Sequence, residues 1–310
     1  MLHTTPDWAL RHHFYHHSNP RSKPRAKTFF EKAHLRPLVD KAWQIAKSDQ
    51  SDEYDREDAF ATIKRLTNGR KSAPMQGGIE TQGACDAVLL NGTDMTAATE
   101  SAVKQFQAYE PRDWDGGKDA DRKDKYIEEL PKVIEHAIAG LREAMARENR
   151  VLGEIELLST LPGIALPHNT RPDYARRGDL KTKWSKPSSR SKSGWQAGSL
   201  PSSLSGMFDM NNVYQCAGFW ALNGNLPPFL VYANATDYRV FTPDNAPELR
   251  DDFLADVVED IRRHHKTTEN LLRAAADKTE LLGLVSPDWS ELAWQEPPAI
   301  LEEAKKLWRL

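Results

Sequence analysis

Two acids and a lysine near the middle of the chain have the types and spacing of a metal-dependent phosphodiesterase site. Asp173 and Asp179 are six positions apart, and Lys181 follows two positions after the second acid. Carboxylates are suitable ligands for Mg²⁺ or Mn²⁺, whereas a lysine ammonium can only donate hydrogen bonds or supply positive charge. These three groups are enough to bind a cation and a phosphate, so the sequence predicts phosphodiester hydrolysis.

The elements that would position these groups are two short predicted strands, residues 170–175 and 178–184. Residues two apart on a strand face the same way, so Asp179 and Lys181 should share one face. The turn between the strands ends at Gly178, where we expect a positive φ. A hairpin of this kind would bring the two acids together, and a divalent cation would relieve their mutual repulsion.

Three further side chains are candidates for the same site. A strand predicted to start at residue 151 carries Glu154 and Glu156 on one face, and either could supply a third oxygen ligand. The sequence alone leaves that choice open. Gln215 lies in an apolar stretch, 210–222, that predicts a buried helix. A buried amide needs a hydrogen-bond partner, and we expect Lys181 or a water at the metal site to provide it.

A local excess of positive charge surrounds this region. Residues 171–192 contain eight Lys or Arg against two Asp, an excess of six, in a chain whose net charge is -3. We expect residues 185–206 to form a mobile loop that contacts DNA without reading its sequence, although a solvated linker has the same composition. The candidate DNA-binding residues are Arg177, Lys183, Trp184, Lys186, Arg190 and Lys192, with the indole stacking on an unpaired base.

Composition excludes several other classes of protein. The two cysteines are far apart, so neither a disulfide framework nor a zinc ribbon is indicated. No apolar run has the length of a membrane span, and the first residues lack the apolar core of a signal peptide. We therefore expect a cytoplasmic location and no membrane partner. Two histidine pairs, His12-His13 and His16-His17, lie in a segment for which a solvated arm is favoured over a metal site.

Three segments in order resemble the PD-(D/E)XK nuclease superfamily, specifically the branch with RecB-type nuclease domains, exonuclease VIII and phage exonucleases. The resemblance covers about residues 151–242 and implies an α/β (α+β) fold with a central mixed sheet flanked by helices. Two differences from the usual pattern are the short gap between the acids and a glutamine, Gln82, where many relatives have a histidine. His136 and His168 are candidate substitutes, although both are favoured to be structural. The three segments are Arg171-Pro172-Asp173, Gly178-Asp179-Leu180-Lys181-Thr182 and Tyr214-Gln215-Cys216-Ala217-Gly218-Phe219.

The resemblance also implies roles for the site residues. Asp173 and Asp179 match the metal-binding acids, Lys181 the catalytic lysine and Gln215 the helical glutamine. The organisation expected is a basic, histidine-rich arm over 1–30, helices packed on the core over 31–150, and a nuclease core with C-terminal helices over 151–310.

The function expected from these observations is a Mg²⁺-dependent (or Mn²⁺-dependent) DNA exonuclease of phage-type recombination, replication or DNA degradation. If the chain is phage-encoded, the location would be the host cytoplasm. Two alternatives remain: an endonuclease with the same centre, and a catalytically silent DNA-binding accessory protein of recombination. Besides DNA, the expected partners are further copies of the chain and a single-strand annealing or binding protein.

Overall fold

The fold is a mixed α/β arrangement dominated by helices. The computed structural model describes residues 16–17, 25–67, 72–111, 117–146, 148, 152–189, 191, 194–206, 209–290, 294 and 298–308. A π-helical turn, Glu31–Leu35, joins the first two helices, and a 3₁₀ turn, Pro247–Leu249, precedes the eighth. Helices α1 to α10 are Arg25–Phe30, Arg36–Lys47, Glu53–Thr67, Ala73–Leu89, Met95–Ala108, Lys118–Ala144, Met210–Leu222, Asp251–Ala274, Lys278–Gly283 and Pro298–Leu307.

The strands are short and form three separate ladders. Strands β1 to β8 are His16–His17, Leu157–Ser159, His168–Thr170, Gly178–Thr182, Lys186–Pro187, Trp195–Gln196, Phe229–Ala233 and Tyr238–Phe241. The ladder β4-β7-β8 pairs β4 with β7 in parallel and β7 with β8 antiparallel. A second ladder, β1-β3-β2, is parallel between β1 and β3 and antiparallel between β3 and β2, and β5 pairs only with β6.

Strand β7 is the centre of the fold because both of its faces are buried. Its sequence, Phe-Leu-Val-Tyr-Ala, is apolar throughout, which is typical of a strand covered on two sides. Phe229, Val231 and Ala233 pack with helices α4 to α6, whereas Leu230 and Tyr232 pack with α7 and α8. The sheet therefore separates two hydrophobic clusters, and the helices on both faces hold β4 beside β7.

A third cluster joins the two ends of the described chain. Phe29 and Phe30 on α1 are buried against Trp294, together with apolar residues of α9 and α10. The predicted arm over 1–30 therefore includes a packed helix from Arg25 onward. Helices α2 and α3 form a hairpin with a small cluster of their own around Ala42 and Ile63.

Several sequence predictions of elements are confirmed. The helix over 210–222 is present. Residues 229–234 and 238–242, whose apolar and β-branched residues predict two strands around a turn, form a strand pair. The stretch 249–284, whose apolar spacing predicts a long amphipathic helix or a pair of helices, is also helical. The Asp-rich and Ser-rich sequence after residue 47 predicts a loop, and this prediction was wrong over Glu53–Thr67, which is helical. No helix in the described ranges is long and apolar enough to cross a membrane.

Candidate active site

The predicted acids and lysine meet where β4, the turn before it and two helices converge. Along β4, Leu180 faces the cluster formed with α4 to α6, while Asp179 and Lys181 face α7. Asp173 lies in the turn that leads into β4, and Gln82 reaches it from α4. The alternation of a short strand therefore places the charged residues on one side, as its sequence predicts.

Asp173 is held in the neutral form by its surroundings. Its Oδ2 accepts a hydrogen bond from the Leu180 backbone N–H at 2.9 Å, and its Oδ1 lies 3.4 Å from the Gln82 amide nitrogen. Burial raises the pKa of the Asp173 carboxyl well above its usual range, and the charge of the neighbouring Asp179 raises it further. Without a cation, the pair of acids therefore retains a proton at neutral pH.

Lys181 connects the acid pair to α7. Its ammonium forms an ion pair with Asp179, which is 3% exposed, and donates a hydrogen bond of 2.9 Å to Gln215 Oε1. Burial is the largest single effect and opposes the charged form, but the charge and hydrogen bond of Asp179, together with further acidic neighbours, hold the pKa of Lys181 above its usual range. Lys181 is therefore a charged donor rather than a base. The expected contact between Gln215 and Lys181 is present.

The connection before β4 differs from the predicted hairpin. Strand β3 ends at Thr170, and only one bridge, between Tyr174 and Gly178, joins the preceding segment to β4. In this connection, the residues with positive φ are Ala175 and Arg176, at 50° and 61°. The prediction of a positive φ at Gly178 was therefore wrong.

Gly178 is required by space rather than by conformation. A Cβ at this position would lie 1.9 Å from Cζ of Phe229, its register partner on the parallel strand β7. Phe229 is fully buried and cannot move aside without disturbing the core. The packing of the Phe229 ring against the Gly178 backbone therefore helps to fix the position of the next residue, Asp179.

Glu154 and Glu156 are paired with a neighbouring arginine. Arg171 lies 3.1 Å from Glu156 and 4.0 Å from Glu154, and Asn169 donates a 2.6 Å hydrogen bond to Glu156. The charge of Glu154 acts on Asp86, whose pKa is raised mainly by burial. Within the described ranges no three His, Cys, Asp or Glu side chains are grouped as a metal site. The structure thus assembles two of the predicted ligands and leaves Glu154 apart.

The predicted DNA-binding residues differ in their exposure and in their partners. Arg177 pairs with Glu148 and Lys183 with Asp209, each at least partly buried. Lys186 is exposed on β5. Arg190 and Lys192 lie outside the described residues. The segment after Ser185 was predicted to be a mobile loop, but it contains the paired strands β5 and β6.

The prediction that Trp184 stacks on a base was wrong. The side chain is 5% exposed, packs on Tyr126 with ring centroids 4.8 Å apart, and donates a hydrogen bond to Thr182. Gly77 on α4 makes room for the indole, because a Cβ there would lie 2.6 Å from the ring. Trp184 therefore anchors the end of β4 to α4.

Gln82 is the site residue that sequence reasoning missed. In the sequence, the Gly-x-x-x-Gln pattern on α4 indicated only that a glutamine stands where many relatives have a histidine. The structure places its amide beside Asp173. His136 is not an alternative at this site, because its Nδ1 lies 2.9 Å from the backbone oxygen of Asn234. His168 is buried on β3 beside His265.

Comparison with known proteins finds no family model, curated protein or solved structure that matches the chain.

Proposed function

We propose that the protein is a Mg²⁺-dependent or Mn²⁺-dependent DNA nuclease with a centre of the PD-(D/E)XK type. The observation that carries the proposal is the meeting of two acids, the partly buried Asp173 and the buried Asp179, with the charged Lys181. Such an arrangement is costly for a site without a ligand, because two adjacent carboxylates in a buried position cannot both be ionised. A divalent cation would offset that cost.

The donor set suits a hard cation, although it is incomplete within the described residues. Asp173 and Asp179 would hold the ion, and the Gln82 amide can present its oxygen if the group is rotated. The Asp179 Oδ2 pairs with the Lys181 ammonium, and a carboxylate oxygen has lone pairs enough to bind a cation as well. When bound, the cation would supply positive charge against the scissile phosphate.

Lys181 and Gln215 have distinct roles in this proposal. Lys181 stays protonated, so it would stabilise negative charge on the phosphate or orient the attacking water by donation. Gln215 accepts from the same ammonium and fixes its direction on the site side of β4. A lysine held by two partners loses little further freedom when substrate binds.

DNA is the proposed substrate because positive charge is concentrated around the site. The segment 171–192 carries an excess of six positive charges in a chain with net charge -3. Arg177 and Lys183 are engaged with acids of the chain, so exposed residues such as Lys186 are the better candidates for phosphate contact. Resemblance to exonuclease VIII favours action at DNA ends over internal cutting.

The test compares linear and closed circular DNA incubated with the purified protein and Mg²⁺. We expect the linear form alone to be degraded and EDTA to stop the reaction. Lys181→Met and Asp179→Asn should lower the rate by roughly 10²–10³-fold, the usual cost of losing one group that stabilises a transition state. Matched controls are Lys104→Met and Asp256→Asn, which change exposed residues of the same types on α5 and α8.

Each other result has a definite meaning. Cleavage of both DNA forms would support an endonuclease with the same centre. Binding without cleavage by the unmodified protein would support the silent accessory module. If Lys181→Met and Lys104→Met cleave equally well, the assignment of the active site is wrong.

A further inference from the structure

Helices α2 and α3 leave an open groove on one side of their hairpin. This hairpin groove has a volume of about 280 Å³. Its floor is apolar and is formed by Leu38, Ala42 and Ile45 of α2 with Ala59 and Leu66 of α3. Apolar surface gains free energy when a partner removes it from water, so this floor favours contact with apolar side chains.

The rim of the hairpin groove is acidic. Asp55 and Asp58 of α3 line it and are exposed, and Glu303 of α10 lines it as well. Among the described residues that line the groove, Lys41 alone is basic. The stretch 49–60, which includes the turn of the hairpin and the first half of α3, has six acids and one arginine, a net charge of -5. Such a surface repels phosphate groups and attracts Lys and Arg side chains, so a basic protein segment fits it better than DNA does.

The packing of the hairpin indicates what shape of partner fits. The buried cluster between the two helices is small and consists of Ala42, Ala59 and Ile63, with Ile45 packed against it. A third helix laid between two helices extends such a cluster through side chains at i, i+3, i+4 and i+7. Helix α2 has 12 residues, so a helix of the same length, about 18 Å, can contact it from end to end.

We propose that the hairpin groove is the docking site for a partner protein that presents a basic amphipathic helix. Aliphatic side chains on one face of that helix contact the apolar floor, and Lys or Arg side chains beside them pair with Asp55 and Asp58. A second copy of the chain is a poor partner for this surface, because two grooves that face each other bring like charges together. Neither α2 nor α3 contributes to the clusters on the two faces of β7, so docking does not require the acid pair.

A synthetic peptide tests the proposal on the full chain. The probe has 12 residues, the length of α2, with leucines at i, i+3, i+4 and i+7 spacing and lysines elsewhere. One comparison peptide has the same composition in an order without an apolar face, and another has glutamates in place of the lysines. Isothermal titration calorimetry should show one amphipathic lysine peptide per chain with a Kd in the micromolar range. The reordered peptide should bind at least about tenfold more weakly, and the glutamate peptide should not bind.

Removal of the rim charges tests the electrostatic part of the contact. Asp55→Asn combined with Asp58→Asn should weaken binding by roughly 3- to 10-fold, the effect of losing two exposed ion pairs. Both residues are exposed, so the double variant is expected to fold. The matched control is Asp252→Asn combined with Asp256→Asn, which removes two exposed acids from the first turns of α8 and should bind like the wild type.

A larger side chain in the groove tests the apolar part of the contact. Thr62 lines the groove, so Thr62→Trp should occupy its space and prevent binding. Thr99→Trp on α5 is the control and should leave binding unchanged. Circular dichroism of each variant checks that the helices are retained, and the double Asp variant provides the test if Thr62→Trp fails to fold.

The remaining outcomes would overturn the proposal. Equal binding of the reordered peptide, or equal binding by the two double Asp variants, would show that no defined groove is used. Loss of binding in Asp179→Asn would place the peptide at the candidate active site instead. If sedimentation shows a dimer that Thr62→Trp disrupts, the groove holds a second copy of the chain and the basic partner is wrong.

Discussion

The proton retained by Asp173 and Asp179 is the residue-scale feature with the clearest consequences. The Asp173 carboxyl keeps its proton because burial and the Asp179 charge both disfavour ionisation. A cation that binds the pair must displace that proton, so metal affinity and pH are linked at this site. Lys181 neutralises only one of the two acids.

The first prediction concerns Asp173→Asn in metal-free protein. The unfolded carboxyl loses its proton near its usual pKa, whereas the folded one keeps it to higher pH. Its contribution to the free energy of unfolding is therefore largest in acid and falls as pH rises toward the folded pKa, by at most about 1.4 kcal/mol per pH unit. Asparagine keeps the acceptor for the Leu180 N–H and has no proton to lose.

Urea unfolding in EDTA at pH 5 and pH 8 measures this difference. Between the two pH values the free energy of unfolding should fall less for Asp173→Asn than for the wild type, and Mg²⁺ should stabilise the wild type but not Asp173→Asn. Asp256→Asn, an exposed acid on α8, is the control and should retain the wild-type pH dependence. An equal decline in Asp173→Asn would contradict the assigned protonation.

The sequence predicted residue types at the site better than it predicted their surroundings. Asp173, Asp179, Lys181 and Gln215 could be selected because charge alternation and an amide in an apolar helix are local patterns. Trp184 could not be judged locally, because its burial depends on the space that Gly77 leaves on α4, a helix distant in the chain.

At the element scale, strand β4 carries the site and depends on one close backbone contact. Its first residue, Gly178, lies directly against the Phe229 ring of β7. A methyl group there would displace either the ring or the strand, and displacement of β4 moves Asp179. Stability and site geometry are thus coupled at this position.

The substitution Gly178→Ala should therefore affect both stability and metal binding. Overpacking of a buried position typically costs about 1–3 kcal/mol, and we expect a loss of that size together with weaker Mg²⁺ binding. Gly83→Ala on α4 is the control, because its added Cβ meets no atom within 4 Å and alanine favours the helix. Denaturant unfolding measures the stability, and Mg²⁺ titration measures the affinity for the cation. Unchanged stability in Gly178→Ala would disprove the steric argument.

Elements were predictable where one face is strongly apolar. Helix α7 and the β7-β8 pair have dense apolar sequences, and their limits agree closely with those expected from the pattern. Helix α3 was missed because it begins in an Asp-rich and Ser-rich segment. It has few buried residues, Ala59, Ile63 and Leu66, so its own sequence has only a weak apolar pattern. Packing on α2 is what stabilises this helix.

At the scale of the whole molecule, the third cluster ties both ends of the described chain together. Trp294 is 1% exposed and contacts the rings of Phe30, Trp289 and Trp308, while Lys27 lies over its indole at 5.2 Å. Such long-range packing could not be predicted from local patterns, since the first 30 residues are polar and rich in histidine. The same limit applies to the pairing of His16 with His168.

The third prediction is that Trp294→Ala opens this cluster while the acid pair stays intact. Loss of a buried tryptophan typically costs about 3–5 kcal/mol, so α1 and α10 should become sensitive to limited proteolysis. Mg²⁺ binding by the folded protein should be unchanged, because Asp173 and Asp179 lie beside other clusters. Trp43→Ala, which removes a 40% exposed indole, is the control and should cause little proteolysis. If both variants resist proteolysis equally, the cluster is not what holds α1 and α10 in place.

The close packing of Trp289, Trp294 and Trp308 gives the protein an intrinsic spectroscopic signal for this cluster. Their ring centres lie 4.9 to 6.1 Å apart, close enough for the excited states of the indoles to couple. Near-ultraviolet circular dichroism of the indoles therefore reports whether α1 and α10 are docked in this cluster, without any attached dye.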